Sequence, residues 1–350
     1  AMQFIFAPLW GRLSDRIGRR PVLLAGLLGS VAFYALFGVA TVLQSIALLF
    51  VARIGAGICG ATISTAQAYI ADATGVESRA RGMALIGAAF GAGFTFGPIL
   101  GSLAVMREPA GSGGEYVQAL PGFLASGLSL LAFIVATVKL PESLRKNAPS
   151  SVRHSWLNIA AIREAMRVPS IGALLAMFFV ATFAFTQFEV TLSLLTRDAL
   201  NLSARQNFYL FTYLGVMLCL VQGLLVRSLV PRAGEVRLII IGIVLMGAGL
   251  WLTSLVAEHR SVTGLILIIP LLVCGFSFVT PSSQALISRR SDPRRQGEIM
   301  GVNQSASAMA RILGPVIGNV LFGFHIELPY KAGALLLLPA FLLAVSSIRT

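Results

Sequence analysis

Ten apolar runs, each long enough to cross a lipid bilayer, constrain this chain more than any other feature of its sequence. A transmembrane helix needs about 20 apolar residues to cross the ~30 Å hydrocarbon core. Residues 1–9 are apolar but too short to cross, so we expect them to be the end of another span. Because lipid offers the backbone no hydrogen-bond partners, each run is predicted to be helical. The runs lie at approximately 21–43, 46–71, 83–105, 120–140, 170–195, 207–230, 237–257, 262–288, 298–323 and 331–348.

The composition agrees with an all-α polytopic membrane protein. Only 12% of the 350 residues are charged, whereas about 25% is usual in soluble domains. The three cysteines, Cys59, Cys219 and Cys274, are widely spaced within apolar runs. This spacing predicts neither a disulfide framework nor a zinc site. The histidines are isolated, so we expect no metal, no cofactor and no enzymatic activity.

The basic residues predict the orientation of the chain in the membrane. The ten spans divide the loops into two alternating sets, and one set holds 20 of the 27 Lys and Arg residues. This set includes residues 11–20, residues 139–168 and the C-terminus. Loops rich in Lys and Arg face the cytoplasm, which predicts a cytoplasmic C-terminus in the inner membrane. The same asymmetry explains the net charge of +13 without a nucleic-acid partner.

An internal repeat relates the two halves of the chain. FGPILGS (96–102) resembles LGPVIGN (313–319), and AQAYIAD (66–72) resembles SQALISR (283–289), both at an offset of 217. GRLSDRIGR, from residue 11, has a fainter counterpart in RSLVPRAGE (227–235) at an offset of 216. Duplicated halves are common in transporters.

The same offset predicts what precedes residue 1. It places the counterpart of Pro169 about 48 residues before Ala1. We therefore expect a six-plus-six-span protein that lacks its first helix and half of its second. The predicted domains are an N-terminal bundle at 1–140, a cytoplasmic linker at 141–168 and a C-terminal bundle at 169–350.

Several motifs resemble those of the major facilitator superfamily. GRLSDRIGRR (11–20) is similar to the loop signature between the second and third spans of that superfamily. RIGAGICGA (53–61) resembles its fourth-span arginine motif, and GFTFGPILGS (93–102) resembles the fifth-span motif of its proton-driven antiporters. YIADATGVESRARG and ISRRSDPRRQGEIMG are closest to the drug:proton antiporter branch, which includes tetracycline exporters. The resemblance implies the major facilitator fold of two six-helix bundles.

The loop signature predicts a polar latch on the cytoplasmic side. Orienting the chain requires only basic residues, so Asp15 needs another role. The resemblance implies that Asp15 and Arg19 pair with Asp72 at the end of the fourth span, and such a latch would favour one of two conformations. The alternative is that these charges only set topology. Gly11 and Gly18 can adopt turn conformations that are closed to other residues. The predicted latch residues are Gly11, Asp15, Arg16, Gly18, Arg19, Arg20 and Asp72.

Five glycines and a proline lie along the predicted fifth span: Gly87, Gly91, Gly93, Gly97, Pro98 and Gly101. Small residues at this spacing let helices approach closely, and a proline inside the span would kink it. Ordinary close packing is one interpretation, and the resemblance adds sealing of the exterior side in an exchanger. The antiporter-type residues are Gly93, Gly97, Pro98 and Gly101.

Three ionisable residues, Arg53, Glu189 and Arg311, stand well inside the spans. Because such groups are costly in lipid, they are functional candidates. Glu189 is a candidate proton or cation site, with a structural pairing to an arginine as the alternative. Arg53 and Arg311 are candidates for structural or coupling roles. Candidates for lining a central cavity are Gln67, Gln187, Gln284, Asn303 and Gln304.

The resemblance implies secondary active transport by alternating access. We expect export of small amphipathic, drug-like or tetracycline-like compounds in exchange for protons, by a monomer embedded in the lipid bilayer. No Walker A motif is present, so the chain is not expected to use ATP. The resemblance implies a proton gradient as the energy source. Two alternatives remain open: proton symport of a sugar or other metabolite, and a transport-inactive fragment.

Overall fold

A computed structural model describes residues 2–75, 78–105, 115–143, 169–291 and 296–346. These segments form thirteen α-helices, with no strand among them. A π-helical segment, Val221–Val226, joins the helix that ends at Leu220 to the helix that begins at Arg227. The α-helices are α1 (Met2–Ile17), α2 (Arg19–Val42), α3 (Ile46–Gly60), α4 (Ile63–Ala73), α5 (Arg79–Val105), α6 (Glu115–Lys139), α7 (Pro169–Asp198), α8 (Ala204–Leu220), α9 (Arg227–Ala233), α10 (Glu235–His259), α11 (Val262–Arg290), α12 (Gln296–Phe324) and α13 (Leu328–Ser346).

Nine segments in the described part of the chain are long and apolar enough to cross a membrane. They correspond to nine of the ten spans predicted from the sequence, with ends that differ by a few residues. The remaining predicted span, 83–105, falls within α5, which is helical throughout. The span predicted at 46–71 is divided into α3 and α4 by a turn at Ala61 and Thr62. The structure therefore confirms an all-α architecture.

The polar stretch at residues 11–20 differs from the loop that its composition suggests. Helix α1 continues through Ile17, and α2 begins at Arg19. Gly18 is the only break, with φ of 107° and ψ of 156°. Gly11, which we expected to provide a second turn residue, is buried inside α1. A single residue therefore makes the turn, because only glycine readily adopts these dihedral angles.

The described chain divides into two compact units. Unit 1 comprises Ala1–Ala73, Gly97–Trp156 and Asp292–Ser305, and unit 2 comprises Thr74–Phe96, Leu157–Ser291 and Ala306–Thr350. Each unit therefore takes a short segment from the other half of the sequence. The predicted linker lies almost entirely outside the described residues, and the boundaries at 140/141 and 168/169 stay predictions.

Within unit 1, α2 packs against both α3 and α6 through small residues. A Cβ atom at Gly29 would lie 2.3 Å from the Cys59 sulfur on α3. A Cβ atom at Gly122 on α6 would lie 2.8 Å from the backbone nitrogen of Gly38 on α2. Such contacts need glycine because helices in lipid associate through close packing rather than through apolar burial.

Within unit 2, α10 and α11 pack closely against each other through glycines. A Cβ atom at Gly275 would lie 2.5 Å from the backbone nitrogen of Met246, and one at Gly242 would lie 2.7 Å from the Gly275 carbonyl oxygen. Buried side chains fill the remaining contact, including Leu238, Ile239 and Leu272. This close packing positions the residues at the ends of the two helices.

The close contacts of α5 fall at Gly87 and Gly91, two of the glycines whose spacing predicted close packing, and not at Gly93 or Gly97. A Cβ atom at Gly91 would lie 2.5 Å from the backbone nitrogen of Cys219, and one at Gly87 would overlap the Gln222 side chain. By contrast, a Cβ atom at Gly93 or Gly97 would face open space, with no neighbouring group of the described residues within 4 Å. The prediction of tight packing at Gly93 and Gly97 is therefore wrong in the described part of the chain. The side chains of Pro98 and Gly101 lie outside the described residues.

Candidate functional site

Arg19 is the centre of a buried polar cluster in unit 1. Its side chain is completely buried, although it is the first residue of α2. Arg19 Nη1 donates to Asp15 Oδ1 at 2.5 Å and to Ser14 Oγ at 2.7 Å. Arg19 Nε donates to Asp72 Oδ2 at 3.0 Å. We call Ser14, Asp15, Arg19, Asp72 and Glu142, described next, the Arg19 cluster.

Glu142 extends the cluster to the segment that follows α6. Its Oε1 accepts from the backbone N–H of Arg19 at 2.8 Å, and its Oε2 accepts from that of Arg20 at 3.1 Å. These are N–H groups of the first turn of α2, which have no partner inside the helix. A carboxylate at this end of a helix also interacts favourably with the helix dipole. Glu142 therefore caps α2 from a distant part of the chain.

Gly18 is required at this site by both its conformation and its surroundings. Its dihedral angles fall in a region that is essentially restricted to glycine. In addition, a Cβ atom there would lie 2.5 Å from Glu142 Oε2 and 2.9 Å from Glu142 Cδ. The glycine thus leaves room for the carboxylate that caps α2.

The structure brings together most of the predicted latch residues. Asp15, Gly18, Arg19 and Asp72 meet as expected, and Arg20 Nη2 donates to the Thr137 carbonyl oxygen at 2.7 Å. The prediction did not include Ser14 or Glu142. The sequence around Glu142, LPES at 140–143, does not indicate its partners. They are backbone N–H groups that lie more than 120 residues away in the chain.

The other two predicted latch residues, Arg16 and Gly11, have no side-chain bond of their own to the Arg19 cluster in the described part of the chain. Arg16 is exposed, in contrast to the buried Arg19. Gly11 is buried in α1, where its carbonyl oxygen accepts from Ser14 Oγ at 2.7 Å. Gly11 therefore supports the cluster through its backbone, and its predicted role as a turn residue is wrong.

Glu189 and Arg311, on α7 and α12 of unit 2, are two of the three ionisable residues predicted inside the spans. The carboxylate of Glu189 is half-buried and interacts electrostatically with the Arg311 guanidinium. That guanidinium also lies over the ring of Phe90 on α5, 5.2 Å from the ring centroid. Burial would make either charge costly alone, whereas the opposite charge and the aromatic face reduce that cost.

Arg53, the third of these residues, lies on α3 of unit 1 and borders a cavity. Its guanidinium lies 4.4 Å from the centroid of the Phe37 ring. The cavity has a volume of about 180 Å³ and is otherwise lined by apolar and aromatic side chains from α2, α3 and α6, including Phe33, Tyr34 and Pro121. This arrangement combines one cation with aromatic faces, which suits a ligand with an anionic group and an apolar body.

The predicted cavity-lining amides are all buried. Gln187 has a defined partner, because its Nε2 donates to the Pro329 carbonyl oxygen at 2.8 Å and ties α7 to the start of α13. The Asn303 side chain is completely buried, and its amide nitrogen and oxygen have no hydrogen-bond partner among the described residues. Access of these amides to a common cavity stays a prediction. The buried set is Gln67, Gln187, Gln284, Asn303 and Gln304.

A comparison with protein families decides the membership of the chain. The family profile described as Major Facilitator Superfamily matches residues 1–315 and 224–349. The chain belongs to the major facilitator superfamily. It is therefore a membrane transporter that acts on small molecules, and it is not an enzyme.

Two groups of relatives are similar over most of this facilitator chain. The tetracycline resistance protein, class E, of Escherichia coli is 34% identical over 325 residues, covering 92% of the chain and 76% of the relative. Major facilitator superfamily domain-containing protein 10 of Homo sapiens is 31% identical over 369 residues, covering 98% of the chain and 76% of the relative. The predicted resemblance to tetracycline exporters is thus confirmed.

The fold agrees with solved structures of other facilitators. The crystal structure of the human organic anion transporter MFSD10 (TETRAN) superimposes with a TM-score of 0.85 at 29% identity, covering 98% of this chain and 81% of that chain. The transporter FucP, solved in an outward conformation, superimposes with a TM-score of 0.75 at 17% identity, covering 99% and 88%. The latter similarity concerns the fold alone.

Proposed function

We propose that this facilitator exports small amphipathic compounds in exchange for protons, through alternating access. The proposal includes tetracycline-like compounds among the substrates, and a position in the inner membrane with the Arg19 cluster on the cytoplasmic side. The similarity to tetracycline resistance proteins supports this substrate class. The concentration of basic residues in one set of loops supports this orientation.

The observation that carries the proposal is the electrostatic interaction between Glu189 and Arg311, two ionisable residues inside the spans. An exchanger needs a group that holds a proton in one state and releases it in the other. A carboxylate inside a span can do so, because a nearby cation favours its charged form and burial favours its neutral form. Movement of Arg311 relative to Glu189 would change that balance and couple proton release to conformational change.

Transport into everted membrane vesicles tests proton exchange. We expect a tetracycline-like compound to accumulate when the vesicle lumen is acidic, so that protons leave as the compound enters, and to leave when an uncoupler is added. Glu189→Gln should reduce driven accumulation at least about tenfold, because the variant cannot bind and release the proton. Glu258→Gln, an exposed glutamate near the end of α10, is the matched control and should retain activity.

Two results would contradict this proposal. One is accumulation that is insensitive to the proton gradient in the unmodified chain. The other is equal loss of activity in Glu189→Gln and Glu258→Gln, which would assign no special role to the intramembrane carboxylate. Membrane insertion is measured in parallel, so that lost transport is distinguished from lost protein.

Organic anions are a second candidate class of substrate. The superimposed structure of the human organic anion transporter supports this class, as does the position of Arg53 beside an aromatic cavity. A carboxylate or sulfonate on an aromatic body would match that combination of cation and aromatic faces. In this case Arg53 takes part in recognition of the anion.

Competition distinguishes the two classes. If organic anions are substrates, a labelled aromatic sulfonate should be taken up and an aromatic carboxylate should inhibit that uptake. Arg53→Gln should abolish both the uptake and its inhibition. If only tetracycline-like compounds are transported, neither anion should compete with the uptake of such a compound. Arg16→Gln changes an exposed arginine of the same unit and serves as the control.

A further inference from the structure

The break between α9 and α10 repeats the break at Gly18. Gly234 is the single residue between these helices, with φ of 77° and ψ of 157°, against 107° and 156° at Gly18. The backbone N–H of Gly234 donates to the Val230 carbonyl oxygen, as that of Gly18 donates to the Ser14 carbonyl oxygen. Gly18 and Gly234 are 216 residues apart, and so are their acceptors, Ser14 and Val230. The faint sequence repeat therefore corresponds to a repeated backbone geometry.

An ion pair occupies the position in unit 2 that corresponds to Arg19 and Asp72. Arg289 Nη1 donates to Glu235 Oε1 at 2.7 Å. Glu235 follows Gly234 as Arg19 follows Gly18, and Arg289 corresponds to Asp72 at the offset of 217 residues. The acid and the base have thus exchanged places between the two halves. We call Glu235 and Arg289 the Arg289 pair.

The Arg289 pair also has a connection to the other half of the sequence. Arg79, the first residue of α5, donates from Nη1 to the Ser288 carbonyl oxygen at 3.1 Å. Ser288 precedes Arg289 near the C-terminal end of α11. The pair therefore fixes the last turn of α11 to α10. That same turn provides the carbonyl oxygen that accepts from Arg79 at the start of α5.

We propose, on the basis of the transport function proposed above, that Glu235 and Arg289 form a second, charge-inverted latch. In the state described by this structure, the pair holds the end of α11 against the start of α10 and so keeps α11 in position for Arg79. Release of the pair accompanies the change of conformation. Glu235 and Arg289 are positioning residues and do not contact the transported compound.

The rate at which a buried cysteine is labelled measures whether the latch is closed. Cys59, Cys219 and Cys274 are first replaced by alanine in the full chain. Ala285→Cys then introduces a reporter one turn before Arg289, at a position that is completely buried. Ala181→Cys on α7, which is equally buried, reports general loosening of unit 2. The probe is a membrane-permeant maleimide, and no substrate or gradient is needed.

A double-mutant cycle isolates the contribution of the pair. We expect Glu235→Gln and Arg289→Gln each to increase labelling at residue 285 about threefold to fivefold, which is the range for a partly exposed ion pair. The double variant should label no faster than either single variant, because the same interaction is lost in all three. Labelling at residue 181 should not change.

The matched control is the pair formed by Arg197 and Asp198, whose side chains are 71% and 39% exposed. Arg197→Gln and Asp198→Asn should leave labelling at residue 285 unchanged.

Three outcomes would overturn the second latch: unchanged labelling at residue 285 in the single variants, effects that multiply in the double variant, or equal increases at residues 181 and 285. Failure of the transport proposal is recognised separately. In that case, vesicles that contain the unmodified chain show no proton-driven accumulation, whatever the result of the cysteine labelling.

Discussion

The helix breaks at Gly18 and Gly234 share one backbone geometry but have different supports. Arg19 has three side-chain partners and is completely buried. The Arg289 pair joins two side chains, of which Arg289 is 26% exposed. At the positions of Ser14 and Asp15, the second half has Val230 and Pro231, which cannot bond to a cation through their side chains.

The helix dipole gives a physical reason for the difference. Glu235 lies in the first turn of α10 and Arg289 in the last turn of α11, so each charge is favoured by its own helix. Arg19 and Asp72 lie at the opposite kinds of helix end and are each disfavoured. Glu142 supplies the missing negative charge at the start of α2. The first half therefore needs a network where the second half needs only a pair.

Loss of the central arginine should produce the largest contrast. Arg19→Gln leaves Asp15, Asp72 and Glu142 close together without their cation, and we expect it to destabilise the chain by about 3–5 kcal/mol. Arg289→Gln should cost at most about 1 kcal/mol. Denaturant titration of the purified protein in detergent measures both. Arg16→Gln is the exposed control, and equal effects of the Arg19 and Arg289 substitutions would remove the distinction between the two supports.

Substitution of the two glycines sharpens the same comparison. Gly18→Ala and Gly234→Ala should each cost about 1–3 kcal/mol for the backbone conformation. Gly18→Ala should cost more, because its Cβ would overlap Glu142, whereas a Cβ atom at Gly234 would meet no neighbouring group within 4 Å in the described part of the chain. Thermal unfolding of the two variants measures the difference. The excess cost is the destabilisation by Gly18→Ala beyond that by Gly234→Ala. Adding Glu142→Ala should reduce this excess, and an unchanged excess would show that the overlap is unimportant.

Asp15 tests whether the Arg19 cluster acts in transport. Asp15→Asn keeps an acceptor for Arg19 but removes the charge, which is worth about 1–2 kcal/mol in a bond to a charged group. We expect proton-driven uptake to fall about tenfold, with the amount of inserted protein unchanged. Quantitative immunodetection of membranes provides the comparison. Parallel losses of insertion and uptake would assign Asp15 a purely structural role.

Glu142 should show the smallest effect of the four. Glu142→Gln retains one acceptor for the first turn of α2 but removes the charge, at an expected cost of about 0.5–1 kcal/mol. The unfolding midpoint should fall slightly, and the dependence of stability on salt should weaken. Ser143→Ala, at the neighbouring position, is the control. A midpoint unchanged from that of the original chain would mean that water replaces the cap.

The sequence alone determined the helical spans and the family of this protein. Membrane-crossing runs suffice because lipid requires each segment to satisfy its backbone bonds internally, and nine of the ten predicted spans are observed. The partnership of Asp15, Arg19 and Asp72 was also predictable, because the resemblance supplied the pairing. Spacing alone does not bring residues 19 and 72 together.

Only the tertiary structure decided which residues support these elements. Gly11 and Gly18 share a motif, yet one is helical and the other makes the turn. Gly91 packs against a backbone while Gly97 faces open space, and Glu142 bonds to N–H groups rather than to a recognisable side chain. Such roles depend on the approach of helices that are distant in the chain, and hydropathy and motif spacing do not specify that approach. The charge exchange between Arg19 and Glu235 became evident only once both glycine breaks had been observed.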